Sequence, residues 1–185
     1  MTNEKQALAR LGRVLSVDPR SGRVAWAYFK DSRLLDYRIR NFRERALSRR
    51  VDGFILPYLI GLLDRFAPHA LIMPKTRGGG ARTRSAHVQR VLRILAREAL
   101  ARGIAVHVVS SDTVKNSLTG PTGAPIGNVQ DTAAAVLQRF PELTLIMPRP
   151  REKIWQPESY SMPLFQAVAM YLAWREGRTD FGRRT

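Results

Sequence analysis

Asp18 ends a short apolar, β-branched run, Val14-Leu15-Ser16-Val17, and is followed by Pro19 and then Ser21-Gly22. A carboxylate delivered to a strand end beside a turn can hold a metal ion in the space the turn leaves. The same side chain can equally start the turn by capping backbone amides. A second set of residues is cationic. Lys75, Arg77, Arg82 and Arg84 surround Gly78-Gly79-Gly80, between a strand and a helix, where backbone amides can receive an anion. The segment lacks the Gly-Lys-Ser/Thr ending of a P-loop, which argues against nucleotide hydrolysis. It suits contact with a nucleic-acid backbone, or a plain flexible connection.

Arg90, Arg93 and Arg97 carry that surface onto the following helix, and guanidinium groups pair with phosphates bidentately. The arginines at 38, 40, 43, 45, 49 and 50 form another cluster. Arg149, Arg151 and Lys153 accompany Trp155, which can stack on an exposed base or cap the core. His69, His87 and His107 are far apart with no H-x-x-x-H spacing, so each suits a structural or surface place better than a metal site. No Ser/His/Asp grouping suggests acyl chemistry.

The elements that must position these groups follow from periodicity. Strands are expected at 13–18, 23–30 and 34–42, with Asp31-Ser32-Arg33 forming a tight hairpin between the second and third. Helical spacing of Phe54, Ile55, Tyr58, Leu59, Leu62, Leu63 and Phe66 predicts a helix over 51–66, with Pro57 marking its first turn or a kink. A buried strand at 70–73 ends at Pro74. Ser85 caps a helix running to 102. Gly103 stops it before a strand at 104–109. A helical turn at 113–118, a helix from Asn128 to 140, a minor strand at 143–147 and a final helix over 158–175 complete the order. Three antiparallel strands followed by alternating helices and parallel strands imply an α/β protein with a mixed five-stranded sheet and helices on both faces. That order is the RNase H-like one. The expected organisation is a flexible start at 1–12, one domain over 13–175 and a flexible basic tail at 176–185.

Composition narrows the partner. Among 185 residues, 31 Lys+Arg face 15 Asp+Glu, for a net charge of +16 and a pI near 11.4. Such an excess stores self-repulsion that a polyanion relieves, so nucleic acid is the expected partner and a membrane is not. No segment is apolar enough to span a bilayer, and there is no cysteine for a disulfide, a thiolate zinc site or a thiol nucleophile. A soluble cytoplasmic protein is the expectation.

Three stretches together resemble the RuvC-type Holliday-junction resolvases of the RNase H-like superfamily. The first is Val14-Leu15-Ser16-Val17-Asp18-Pro19 with its returning strand. It is similar to the opening strand of that family with its catalytic aspartate. The second is Val114-Lys115-Asn116-Ser117-Leu118-Thr119-Gly120 with Val129-Gln130, where Lys115 falls on a lysine used near the cut phosphate. The third is Glu158 with the Ala-rich helix after Phe165, similar to a last helix whose first turn carries metal-binding acids. The Pro74-Lys75 loop and the helix after it also look like YqgF-type relatives. The resemblance implies Mg²⁺ (or Mn²⁺) held by Asp18 and Glu158, water activated by the metal, and Lys115 steadying phosphate charge. It also implies branched or structured DNA, rather than RNA, as substrate, and a homodimer if the chain pairs as resolvases do.

The sequence departs from that pattern at three places. Met73-Pro74-Lys75 stands where a resolvase presents a glutamate, and Ser161 where a second acid is expected one turn after Glu158. Ile126 or Gly127 takes the place of a lysine. Two-metal phosphodiester cleavage needs carboxylates that hold cations roughly 4 Å apart. The alternative is therefore a catalytically inactive DNA- or RNA-binding or assembly module on the same fold.

Overall fold

A computed structural model describes residues 12–20, 22–42, 52–76, 84–118, 126–148 and 159–181. Strands β1 (Arg13–Arg20), β2 (Arg23–Lys30) and β3 (Arg33–Asn41) form an antiparallel meander. Both central residues of the β2–β3 turn, Asp31 and Ser32, have positive φ, which matches the turn twist to that of the strands. Helix α1 (Asp52–Phe66) leads to β4 (Ala70–Pro74), and α2 (Ala86–Ala101) leads to β5 (Ala105–Val109). Both of these strands run parallel, β4 to β1 and β5 to β4, so the sheet order is β3-β2-β1-β4-β5. Helices α3 (Ser111–Ser117), α4 (Val129–Arg139) and α5 (Met162–Phe181) follow. The mixed five-stranded sheet of RNase H-like type is as the element order predicts.

Alternation along the strands sorts side chains into two cores, one per sheet face. Leu15, Val17, Val24, Trp26, Leu71 and Met73 pack under α1 and α2, with Trp26 Nε1 donating to Tyr58 Oη at 2.7 Å. Val14, Ala25, Ala27, Phe29, Ala70 and Ile72 pack under α5, supported by α3 and α4. Small residues, Ala25 and Ala27, line β2 on this side. They let α5 lie close, and Ser16 Oγ donates to the Ala167 carbonyl at 2.6 Å across the interface.

Several boundaries differ from expectation. β1 and its pairing with β2 continue to Arg20 opposite Arg23, beyond Asp18. Pro57 lies well inside α1, and its ring removes the hydrogen bond that Gly53 would accept. The expected minor strand at 143–147 is a 3-10 helix, Pro141–Ile146. Pro141 opens it, and only Leu143 is buried while Leu145 is 96% exposed, so one anchor replaces a strand face. α3 begins earlier than predicted because Ser110 caps it, its Oγ accepting from Thr113 N at 3.0 Å. α5 begins at Met162 and runs past Arg175 to Phe181. Residues 1–11, the basic bridge at 43–50 and 182–185 lie outside the described residues. Among the described residues no helix is long and apolar enough to cross a membrane.

Phe29 stacks on Tyr171 of α5, with centroids 3.6 Å apart and planes at 6°, and tilts against Phe140. Truncation there removes the joint between β2 and the last helix. Phe29→Ala should cost about 3–5 kcal/mol of unfolding free energy. Urea titration checks this as a lower midpoint at unchanged slope.

Candidate functional site at the end of the first strand

The two-residue period of β1 puts Val14, Ser16 and Asp18 on one face, the side covered by α5. Asp18 is 0% exposed. A carboxylate that deep needs opposite charge and hydrogen-bond donors. Two arginines supply them. Arg20 Nε donates to Asp18 Oδ2 at 2.8 Å. Arg84 Nη2 lies 2.6 Å from Asp18 Oδ1. The second contact falls outside hydrogen-bond alignment, so charge rather than a directed N–H holds Oδ1 there. Arg84 Nη1 also donates to the Pro19 carbonyl at 2.7 Å.

Each arginine arrives by a different route. Arg20 is two residues past Asp18 on the same strand and so shares its face. Arg84 comes from the residue before Ser85, which caps α2 by accepting from Val88 N. Gln89 Nε2 holds the Arg84 carbonyl at 2.7 Å and fixes its backbone. The ladder between β1 and β4 runs only over Val14–Ala70, Leu15–Leu71 and Ser16–Ile72. Past it, the edge of β1 is open to this guanidinium.

Continuing that register by two residues brings Pro74 level with Asp18, and the next residue, Lys75, is exposed. Neither can ligate a cation. Ser161, buried at the start of α5, shares a hydrogen bond with Ser159 and carries no charge. Among the described residues no three His, Cys, Asp or Glu side chains gather where a metal could sit. A divalent ion at Asp18 would have to share one carboxylate with two guanidinium groups, against their repulsion. Among the described residues the donor set does not fit Mg²⁺ or Mn²⁺ at Asp18.

The other candidate residues are distributed unevenly. Lys115 lies exposed on α3, whose Val114 anchors the helix under α5. Arg90 is exposed on α2 and lines a shallow crevice with Gly53, Leu56, Pro57, Val91 and Ile94. Lys75 ends the β4 ladder, its N–H donating to the Val109 carbonyl. Glu158, Arg77, Arg82, Arg149, Arg151, Lys153 and Trp155 lie outside the described residues. The sequence reasoning overlooked three participants. Arg20 was missed because the expected strand stopped at Asp18, whereas β1 continues to Arg20. Arg23 and Tyr160 were not legible, because they meet only through tertiary contact: Arg23 Nη1 donates to the Tyr160 carbonyl at 3.1 Å, and its guanidinium lies 4.5 Å from the centre of the half-exposed Tyr160 ring. One turn into α2, burial and then the charge of Arg90 lower the pKa of His87.

Solved structures with this arrangement of strands and helices are known. RuvC from T. thermophilus in complex with a Holliday junction substrate superposes with a TM-score of 0.63 at 17% identity, over 91% of this chain and 96% of that one. A further Thermus thermophilus RuvC structure gives 0.63 at 18% identity and the same coverage. The yeast mitochondrial Holliday junction resolvase Ydc2 gives 0.52 at 13% identity, over 100% of this chain and 89% of that one. No protein-family model and no curated protein matches the sequence. The chain has a RuvC-like resolvase fold.

Removing the Asp18 charge leaves two half-buried guanidinium groups without the carboxylate between them. Asp18→Ala should destabilise the fold by about 3–5 kcal/mol, the range for breaking a buried ion pair from one side. An aspartate crowded by other carboxylates would instead gain stability when neutralised, and thermal unfolding distinguishes the two signs. For His87 the folded state favours the neutral ring while the unfolded chain takes the proton near its ordinary value of 6.5. Its contribution is therefore fully present above that pH and is lost as pH falls through it towards the lowered folded value. The drop in Tm on acidification should be smaller in His87→Gln than in the unaltered chain.

Proposed function

We propose that this chain is a nucleic-acid-binding protein on a RuvC-like fold that recognises branched or structured DNA and does not cleave it by the two-metal route. The observation that carries the second half is the pairing of both Asp18 oxygens with Arg20 and Arg84. The first half is supported by the fold, by the net charge of +16, and by a related fold being known in complex with a Holliday junction substrate. In this reading the strand end that needs acids for cleavage has become cationic, with Arg20, Arg23 and Arg84 around one aspartate. Lys75, Lys115 and Arg90 are exposed on the elements that follow β4 and β5 and extend phosphate contact outward, and the basic segments at 77–83 and 149–155 add to it.

Phosphate contacts release counterions, so affinity for a four-way DNA junction should fall steeply as salt rises. A gel-shift series at increasing salt measures this, and a flat response would contradict the reading. In Mg²⁺ or Mn²⁺ the junction, flaps and RNA/DNA hybrids should all stay intact. Cleavage that disappears in Asp18→Asn would instead establish the nuclease reading.

A further inference from the structure

We infer that Arg84 takes the place of a metal ion at the end of β1, as a permanently bound cation that grips a phosphodiester without any divalent ion. The inference rests on the DNA-binding reading above and assigns its central contact. Arg84 Nη2 lies 2.6 Å from Asp18 Oδ1, in the space a metal bound to that oxygen would need. Arg20 Nε closes the other oxygen at 2.8 Å. Arg20 and Arg84 both set guanidinium charge against the Asp18 carboxylate, at a strand end where metal-dependent cleavage needs acids free to bind a cation.

The remaining geometry suits a phosphate. Among the described residues, the two contacts of Arg84 use two of its three nitrogens, and its side chain is 17% exposed, so donors remain at the mouth of the site. The Arg20 side chain is 26% exposed beside it. A guanidinium fixed by a carboxylate and a backbone carbonyl has already lost its rotamer freedom. It then offers a planar set of donors to phosphate oxygens at little further entropic cost. Being part of the chain, it is a cation that chelators cannot remove. Asp18 is then a positioning residue, acting on DNA through Arg84.

Two measurements on the full chain test this. Mn²⁺ alone, followed by its electron paramagnetic resonance signal, should not bind the unaltered protein. It should bind Arg20→Gln/Arg84→Gln, where Asp18 is released, and binding should vanish again when Asp18→Asn is added. Mn²⁺ binding to the unaltered chain that Asp18→Asn abolishes would overturn the inference. With a four-way junction as probe, Arg84→Gln should weaken binding and lower the slope of log affinity against log salt by about one unit. Because that variant strands a buried carboxylate, Asp18→Asn/Arg84→Gln is measured beside it. The double variant should recover thermal stability yet keep the lower affinity and slope. Recovery of both would make Arg84 a structural residue only and overturn the inference. An unaltered chain that binds no junction defeats the DNA-binding reading itself, while the Mn²⁺ measurement still decides who occupies Asp18.

Discussion

A carboxylate with no access to water sits at the end of the first strand, and the geometry around it answers that charge. Asp18 faces the side of the sheet covered by α5, and burial there would be prohibitive for an isolated anion. Arg20 neutralises it from the same strand and Arg84 from the start of α2. Together they tie the β1–β2 hairpin to the chain leaving β4, across a gap where the parallel ladder has already ended. A buried ion pair of this sort adds little net stability compared with an apolar replacement, but losing one partner is severe. Its value lies in holding β1 and the start of α2 in one arrangement.

The depth of Asp18 is a consequence of packing elsewhere. The small side chains of Ala25 and Ala27 on β2 leave room for the last helix, and Ser16 of β1 donates to a helix carbonyl. Phe29 and Tyr171 stack face to face further along the same seam. The cationic strand end thus depends on a tight helix–sheet contact.

The same fold is found in RuvC, solved in complex with a Holliday junction substrate, and in Ydc2, named as a Holliday junction resolvase. At 13–18% identity the likeness carries the path of the chain and not the chemistry of its ends. Here the strand ends diverge from the acids that a two-metal nuclease needs. Pro74 stands level with Asp18, Lys75 follows it, and Ser161 opens the last helix. The substitutions all remove negative charge from one neighbourhood, and the arginines that fill it push the local balance the other way.

Much of the fold was legible in the sequence, because strand and helix periods are local properties of the chain. β-branched alternation marked β1 and β2, and the apolar spacing of α1 and α2 survived an internal proline. The 3-10 helix at Pro141–Ile146 was not legible, since a short apolar run reads alike as strand or turn until its neighbours are known. For the site, the sequence pointed to an aspartate near the end of β1 and to acids missing after β4 and at the start of α5. It could not determine that Arg84, 66 positions from Asp18, returns to its Oδ1. That contact exists only because a parallel strand and a capped helix carry the chain back to the open edge of β1. The tertiary structure thereby decided whether Asp18 faces a metal or a guanidinium.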